Sequence, residues 1–375
     1  MKKLLLGSAA IAGLVLASAP AQAQMELTIG GHSKNYVGWL DQDDAPGVET
    51  RNFDMQRETE IHFNGESTLD NGLTFGFQVE TEVDAGDDAN TIEESYIYLS
   101  GTWGRVNLGS EDGAAYLLQV AAPSADSNID GIRQYIQPVN YANAGLAAGT
   151  VSALRAPAGV TGNVDGFDYD QDITGVAEKI TYLSPNFNGF QIGASYTPDV
   201  GDTNSVGPLA NGFNTDDAVD TLGAAYDVGA RFEGVMSNFG YALGAGYTHV
   251  DNENDTALDD YDAWNVGLDI DSGPFGIGAA YLSEDQEHIA ADGDVDTIVV
   301  GVDYTTGPFK FGASYYNQDD ETIAGDLETD RYTGGVIYTA GPGLSFRGSV
   351  SHIEHDVAAA DADATSVMGG VQINF

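Results

Sequence analysis

The 375-residue chain has no cysteine, so no disulfide framework braces it. Basic residues are scarce: 13 Lys and Arg stand against 58 Asp and Glu, a formal net charge of -45. A surface of that sign repels nucleic acid and anionic headgroups and attracts cations. Beyond the N-terminal segment the chain has no apolar run of 18 or more residues. That excludes a helical membrane span. It does not exclude a span built of strands, whose alternating signal is weaker per segment.

The N-terminus itself, MKKLLLGSAAIAGLVLASAPAQA, carries Lys2 and Lys3, an apolar stretch from Leu4 to Ala17, and the small-x-small pattern Ala21-Gln22-Ala23. It reads as a signal peptide, residues 1–23, cleaved after Ala23. A membrane anchor is the alternative, and the apolar stretch is short for one. The remainder, 24–375, is rich in glycine (48 in the whole chain) and tyrosine (19).

That remainder repeats a strand, a tight turn, a strand and a longer acidic connection. Leu73, Phe75, Phe77 and Val79 alternate with Thr74, Gly76, Gln78 and Glu80 after the turn Asp70-Asn71-Gly72. Further short turns are SPNFNGF, DSGPFG, TTGPFK and TAGPGL, pairs of the kind that close hairpins. Long polar connections such as QDDAPGVETRN, EDQEHIAADGDVD and NQDDETIAGDLETD lie at the opposite strand ends. Sixteen strands can be read this way, one of them over 218–228 with an unclear hairpin after it. Backbone polar groups cannot go unpaired in hydrocarbon, so spanning strands must close on themselves. The expected fold is all-β: a sixteen-stranded antiparallel transmembrane β-barrel with short turns on one side and long loops on the other. A β-sandwich or a β-solenoid also alternates, but no linker and no fixed short period is present.

Alternation assigns the walls. Phe309, Phe311, Ala313 and Tyr315 oppose Lys310, Gly312, Ser314 and Tyr316, and the second set suits a wetted lumen. Glu58, Glu60, Glu80, Glu82, Glu94 and Asp303 fall in the inward phase, as do Arg105, Lys310 and Arg347. A lumen lined by one sign of charge concentrates counter-ions, which predicts cation preference. Arg57 shares its phase with Ile61 and Phe63, which suits a rim or a bulge. Aromatics beside the short turns, including Phe187, Phe190, Phe275 and Phe309, form an expected interfacial girdle. In the final SVMGGVQINF, Val367, Gly369, Val371, Ile373 and Phe375 make a lipid-facing row that pairs back to the first strand.

One connection is far longer than ordinary loops. It runs from residue 110 to the strand near 177 and contains the apolar AAYLLQVA. Folding inward over about 110–150 would bury that surface and narrow the channel; a surface flap touching a neighbouring subunit is the other possibility.

The stretches EESYIYLSGTWGRVNLGSEDG, KITYLSPNFNGFQIGASYTP and GGVQINF resemble the general Gram-negative porins, in the branch common among alphaproteobacteria. The resemblance implies a homotrimer in the outer membrane that passes small hydrophilic solutes by diffusion. It also implies contact with lipid and lipopolysaccharide, and a terminal aromatic, here Phe375, read by the barrel insertion machinery. It implies a third extracellular loop folded in as an eyelet, carboxylates on the loop facing bases on the wall. The loop would offer Glu111, Asp112, Asp126 and Asp130, with Arg133 also on it. The bases would come from Lys34, Arg57, Arg105, Lys179, Arg331 and Arg347, a sparser set than the family usually brings.

No cofactor is required by any motif. The acidic run Asp251, Glu253, Asp255, Asp259 and Asp260 could hold Ca2+, although it lacks EF-hand spacing. Of six histidines (His32, His62, His249, His288, His352, His355), none sits by a nucleophile elbow, which argues against an enzyme. A non-channel adhesin or structural surface protein is the alternative function.

Overall fold

A computed structural model describes residues 25–83, 91–125, 129–134, 136, 138–141, 143–146, 167–201, 222–253, 259–286, 293–321, 326–357 and 361–375. The segment read as a signal peptide lies outside the described residues. The first strands are β1 (Glu26–Gln42), β2 (Phe53–Thr68), β3 (Thr74–Glu82), β4 (Thr91–Gly101) and β5 (Gly104–Ser110). A one-turn helix, α1 (Ala114–Leu117), and the two-residue pieces β6 (Ile129–Asp130) and β7 (Arg133–Gln134) follow within the long connection. Next come β8 (Glu178–Leu183), β9 (Phe190–Thr197), β10 (Leu222–Met236), β11 (Phe239–Asn252), β12 (Tyr261–Ser272) and β13 (Phe275–Asp285). The last are β14 (Asp294–Thr306), β15 (Phe309–Asp320), β16 (Leu327–Gly341), β17 (Leu344–Val357) and β18 (Ala362–Asn374).

All strands except β6 and β7 form one closed antiparallel barrel of sixteen, each paired with its neighbours in the chain. Closure is made by β1 against β18, from His32 opposite Asn374 to Gln42 opposite Ala364. The last residue takes part in it. Phe375 donates its N–H to the Gly31 carbonyl at 3.1 Å, and its own carbonyl accepts from the Gly31 N–H at 3.0 Å. From Gly31 to Gln42, β1 is thereby paired where the cylinder meets.

Period-two alternation sorts side chains between the two walls. The outer wall is an apolar belt that includes Ile29, Val37, Ile97, Leu108, Ile192, Leu243, Val266, Ile277, Val302, Phe311, Val350 and Val367, all exposed. Aromatic pairs bound it at both ends. Phe275–Tyr304 and Phe309–Tyr338 (both 4.9 Å between ring centroids) lie beside the short turns, and Trp264–Tyr281 (5.0 Å) and Tyr315–Tyr332 (5.1 Å) lie toward the long loops. Above the second girdle one pairing recurs: Tyr247, Tyr281 and Tyr315 each donate to a carboxylate on the following strand, Asp262, Asp296 and Asp330.

The expected strand 218–228 differs most from the structure. β10 starts at Leu222 and continues through Gly229, Arg231 and Gly234 to Met236, with the turn at Ser237 and Asn238. The inner wall also differs from a uniformly wetted lumen. Toward the long loops Leu282, Val299, Tyr316, Leu327 and Ile353 point inward and are buried with Leu40, Ala122, Val139, Tyr141, Phe167 and Tyr169 in one apolar core. Those inward positions are apolar because a loop segment covers them.

Candidate functional site: the inner wall and the segment packed on it

The residues that seat this segment are mostly glycines. Strands β9 to β15 each carry at least one inward glycine at mid-strand: Gly193, Gly229, Gly244 and Gly246, Gly267, Gly278, Gly301 and Gly312. Each lies against the chain from Ala114 to Ala125. A β-carbon on Gly229, Gly267 or Gly301 would collide with the backbone of Ala114, Val120 or Pro123, and one on Gly312 would come within 2.7 Å of the Ala125 β-carbon. Mid-strand glycine weakens a sheet and marks close approach of another backbone. Here seven consecutive strands accept that weakness so that one segment can lie flat on the wall.

Polar contacts hold the segment in place. The Ala114 N–H donates to Ser195 Oγ at 2.8 Å. Gln171, fully buried, donates to Thr248 Oγ1 (2.8 Å) and the Ala263 carbonyl (3.1 Å), and its own amide oxygen accepts from Asn265 (2.6 Å). Gln119 accepts from the Gln171 N–H at 3.0 Å and donates to the Tyr169 carbonyl at 2.7 Å. Arg231 reaches the Gln119 carbonyl at 3.3 Å. Residues 167–177 join the same packing. Its outer part is tied to the first long loop, where Asp44 bridges Ala144 and accepts from the Thr50 N–H (2.6 Å) and hydroxyl (2.6 Å).

Glu111 and Asp112 lie at the root of this segment and are buried. Asn107 donates to Glu111, and Lys179 donates to the Glu111 and Gly175 carbonyls. Burial pushes the Glu111 carboxyl up to about 7, against the hydrogen bond from Asn107. Arg133 gathers Asp172 (2.7 Å), Asp170 (2.8 Å) and Asp112 (3.4 Å) and stacks over Tyr116. Burial and the neighbouring Asp112 raise Asp172 well above the usual carboxylate range, while Arg133 opposes the shift. Asp130 pairs backbone to backbone with Arg133. Asp126 lies outside the described residues.

The wall residues separate into two kinds. Glu58, Glu60, Glu80, Glu82 and Glu94 line adjacent strands β2 to β4 with Lys34 on β1, in register with one another. Alternation misses Glu93. Between Val79/Ser95 and Thr81/Ile92 the register shifts, so Glu80 alone opposes both Glu93 and Glu94. This is a β-bulge, and it turns two consecutive glutamates to the lumen. Basic groups are individually engaged. Lys34 lies 3.4 Å from Glu58, Lys310 lies 3.2 Å from Asp303, and Arg231 lies 3.4 Å from Glu233. Arg105 sits 3.9 Å over the Tyr98 ring and donates to Asn107 at 2.6 Å. Arg331 is buried over Phe167 (4.7 Å) and Tyr316 (5.3 Å), inside the apolar core. Arg347 is inward and half-buried, opposite Ile337 and Gly370, and Arg57 is on the outer, exposed face.

In the acidic run, Asp251 and Asp260 meet His249, a residue outside the run, at 3.4 and 4.0 Å, and Asp262 joins them at 2.9 Å. Glu253 lies against Gly223, Asp259 offers its carbonyl to Asn252, and Asp255 lies outside the described residues.

A closed, even-stranded barrel with an apolar outer belt between aromatic girdles and a charged inner wall is a transmembrane β-barrel. Residues 7–373 match the family of Gram-negative porins, and the chain belongs to that family. Its fold is similar to that of an anion-selective porin from Comamonas acidovorans, with TM-score 0.64 and 18% identity over 94% of this chain and 100% of that one. It is also similar to a multiply substituted Rh. blastica porin, with TM-score 0.56 and 17% identity over 93% and 100%. No curated protein sequence matches. Family and fold make this an outer-membrane diffusion channel, and they point to a channel rather than an enzyme.

Proposed function

We propose that the channel passes small hydrophilic solutes and prefers cations, with the 113–125 segment setting its narrowest width. The carrying observation is the wall formed by β2 to β4. Glu58, Glu60, Glu80, Glu82, Glu93 and Glu94 crowd one side of the lumen, while the basic residues nearby are engaged by carboxylates, carbonyls or rings. Such a surface raises the local concentration of counter-ions. The anion-selective porin of similar fold does not weigh against this, because selectivity resides in side chains and at 18% identity the likeness is of fold.

A reversal potential across a KCl gradient tests the reading. Cation preference is expected, strongest at low salt where screening is weak, and reduced by combining Glu58→Gln, Glu60→Gln and Glu80→Gln. Anion preference in the unaltered protein would sink it. The same proposal takes the assembly to be a homotrimer embedded in outer-membrane lipid and lipopolysaccharide, delivered by the barrel insertion machinery. Conductance steps in groups of three support that assembly. A surface-structural role without a pore predicts no steps at all.

A further inference from the structure

The acidic wall also holds two histidines that ion permeation does not need. Cross-strand register sets His32 opposite Glu60, His62 opposite Glu80 and Lys34 opposite Glu58, all in the inward rows of β1, β2 and β3. The result is a compact cluster. His32 Nε2 lies 2.6 Å from Glu58, His62 Nε2 contacts Glu60, and His62 Nδ1 lies 3.4 Å from Glu80. The two rings meet edge-on at 6.5 Å between centroids. One ligand atom from each of His32, Glu60 and His62 lies within 4.8 Å of the others.

We propose that His32, Glu60 and His62 bind a divalent transition-metal cation of borderline softness, such as Zn2+ or Ni2+, on the channel wall. The donor set argues for that class. Two imidazoles and a carboxylate suit Zn2+ and its neighbours, whereas Ca2+ and Mg2+ select oxygen-only sets. Geometry allows it. Metal–ligand bonds of about 2.0–2.1 Å need tetrahedral donors about 3.3 Å apart, and the donors here already lie within 4.8 Å of one another. The surroundings complete it. Glu80 stands at the second nitrogen of His62, the carboxylate–histidine arrangement that orients a metal-bound ring. Glu58 stands at His32 as a further oxygen donor. Lys34, 3.4 Å from Glu58, places its positive charge on that flank and leaves the His62 side as the route of entry. His62 is the most accessible member, with 28% of its side chain exposed.

An ion on this wall stands in the path of permeating cations, so binding also lowers current.

The test is equilibrium dialysis of the detergent-solubilised, folded protein against Zn2+, with Co2+ absorption as an independent report of nitrogen ligation. Saturable binding is expected that about a hundredfold excess of Ca2+ does not displace. His62→Gln, His32→Gln and Glu60→Gln are each expected to weaken it about tenfold or more. Folding is checked by heat-modifiable mobility, and His62→Gln, whose ring is partly exposed, serves if the other variants fail to fold. Displacement by Ca2+, or Zn2+ binding unchanged in folded His62→Gln, would overturn the proposal. These readouts do not depend on ion selectivity, so their failure is separable from a failure of the cation-channel reading.

Discussion

The glycine track makes a quantitative prediction about the inward segment. Replacing Gly267 and Gly301 with valine drives side chains into the backbone of Val120 and Pro123. Overpacking a close contact costs about 1–3 kcal/mol per site, so the pair costs about 2–6 kcal/mol. Against this stand five hydrogen bonds that fasten residues 114–125 and Gln171 to the wall: Ala114 to Ser195, Gln171 to Thr248 and to Ala263, Asn265 to Gln171, and Arg231 to Gln119. At about 0.5–1.5 kcal/mol net each they hold with about 2.5–7.5 kcal/mol. Either single valine should therefore leave the segment seated, and the double variant should unseat it in a large share of molecules. Single-channel recording in a planar bilayer should show larger or noisier openings for the double variant, and trypsin should reach Arg133 faster. Gly334→Val is the control, since a β-carbon there meets nothing within 4 Å. A double variant that inserts normally and keeps both the unaltered conductance and the unaltered trypsin resistance would refute the reasoning.

Three further outcomes are expected. Gln171→Leu keeps the volume but removes the bonds to Thr248, Asn265 and the Ala263 carbonyl, leaving Thr248 only its own bond to Asp227; a loss of about 2–4 kcal/mol is expected, read as a lower thermal unfolding midpoint without loss of the barrel. The link between Asp44 and Thr50 should fail in acid. Burial raises the Asp44 carboxyl, but the hydrogen bonds from Thr50 and Gln42 together outweigh it and hold the group below its ordinary 3.8. A depressed carboxylate stabilises above its unfolded pKa and loses that contribution as pH falls through the folded one. Hydrogen exchange over 43–50 should accelerate below pH 4, and Asp44→Asn should remove that pH dependence. Deleting Phe375 removes the two backbone bonds to Gly31 and the terminal aromatic together; outer-membrane yield should fall, whereas Phe375→Tyr should retain it.

Much of the barrel was legible because period two is a local property. Phe309 and Phe311 against Lys310 and Gly312 assigns a wall without knowledge of any partner strand. What failed to read out depended on a second chain segment. In β10, Gly229, Arg231 and Gly234 have the composition of a turn. Gly229 and Arg231 are wall residues because Ala114 lies on Gly229 and Arg231 reaches the Gln119 carbonyl, and Gly234 continues the strand opposite Tyr241. Leu282, Val299 and Tyr316 sit in the lumen-facing phase with the chemistry of a core, which makes sense only once Phe167 and Tyr169 are laid over them. Glu93 was hidden by a bulge, which breaks alternation at one residue.

The inward glycines were open to a sequence reading. IGA, VGA, LGAG, VGL, IGA, VGV and FGA, one per strand from β9 to β15, repeat a residue that strands disfavour at a phase that faces the lumen. A single such glycine is uninformative, but seven in consecutive strands require a common cause, and a backbone lying across all of them is one that fits. The histidine cluster lies at the other limit. His32 and His62 are thirty positions apart, and no local pattern joins them. Only the offset of β1 against β2, set by the hairpin and carried around the barrel, turns two scattered imidazoles into neighbours. Register is thus where function enters this fold: shifting β2 by one residue would send Glu58, Glu60 and His62 to the lipid, and would dissolve the acidic wall and the proposed metal site in the same step.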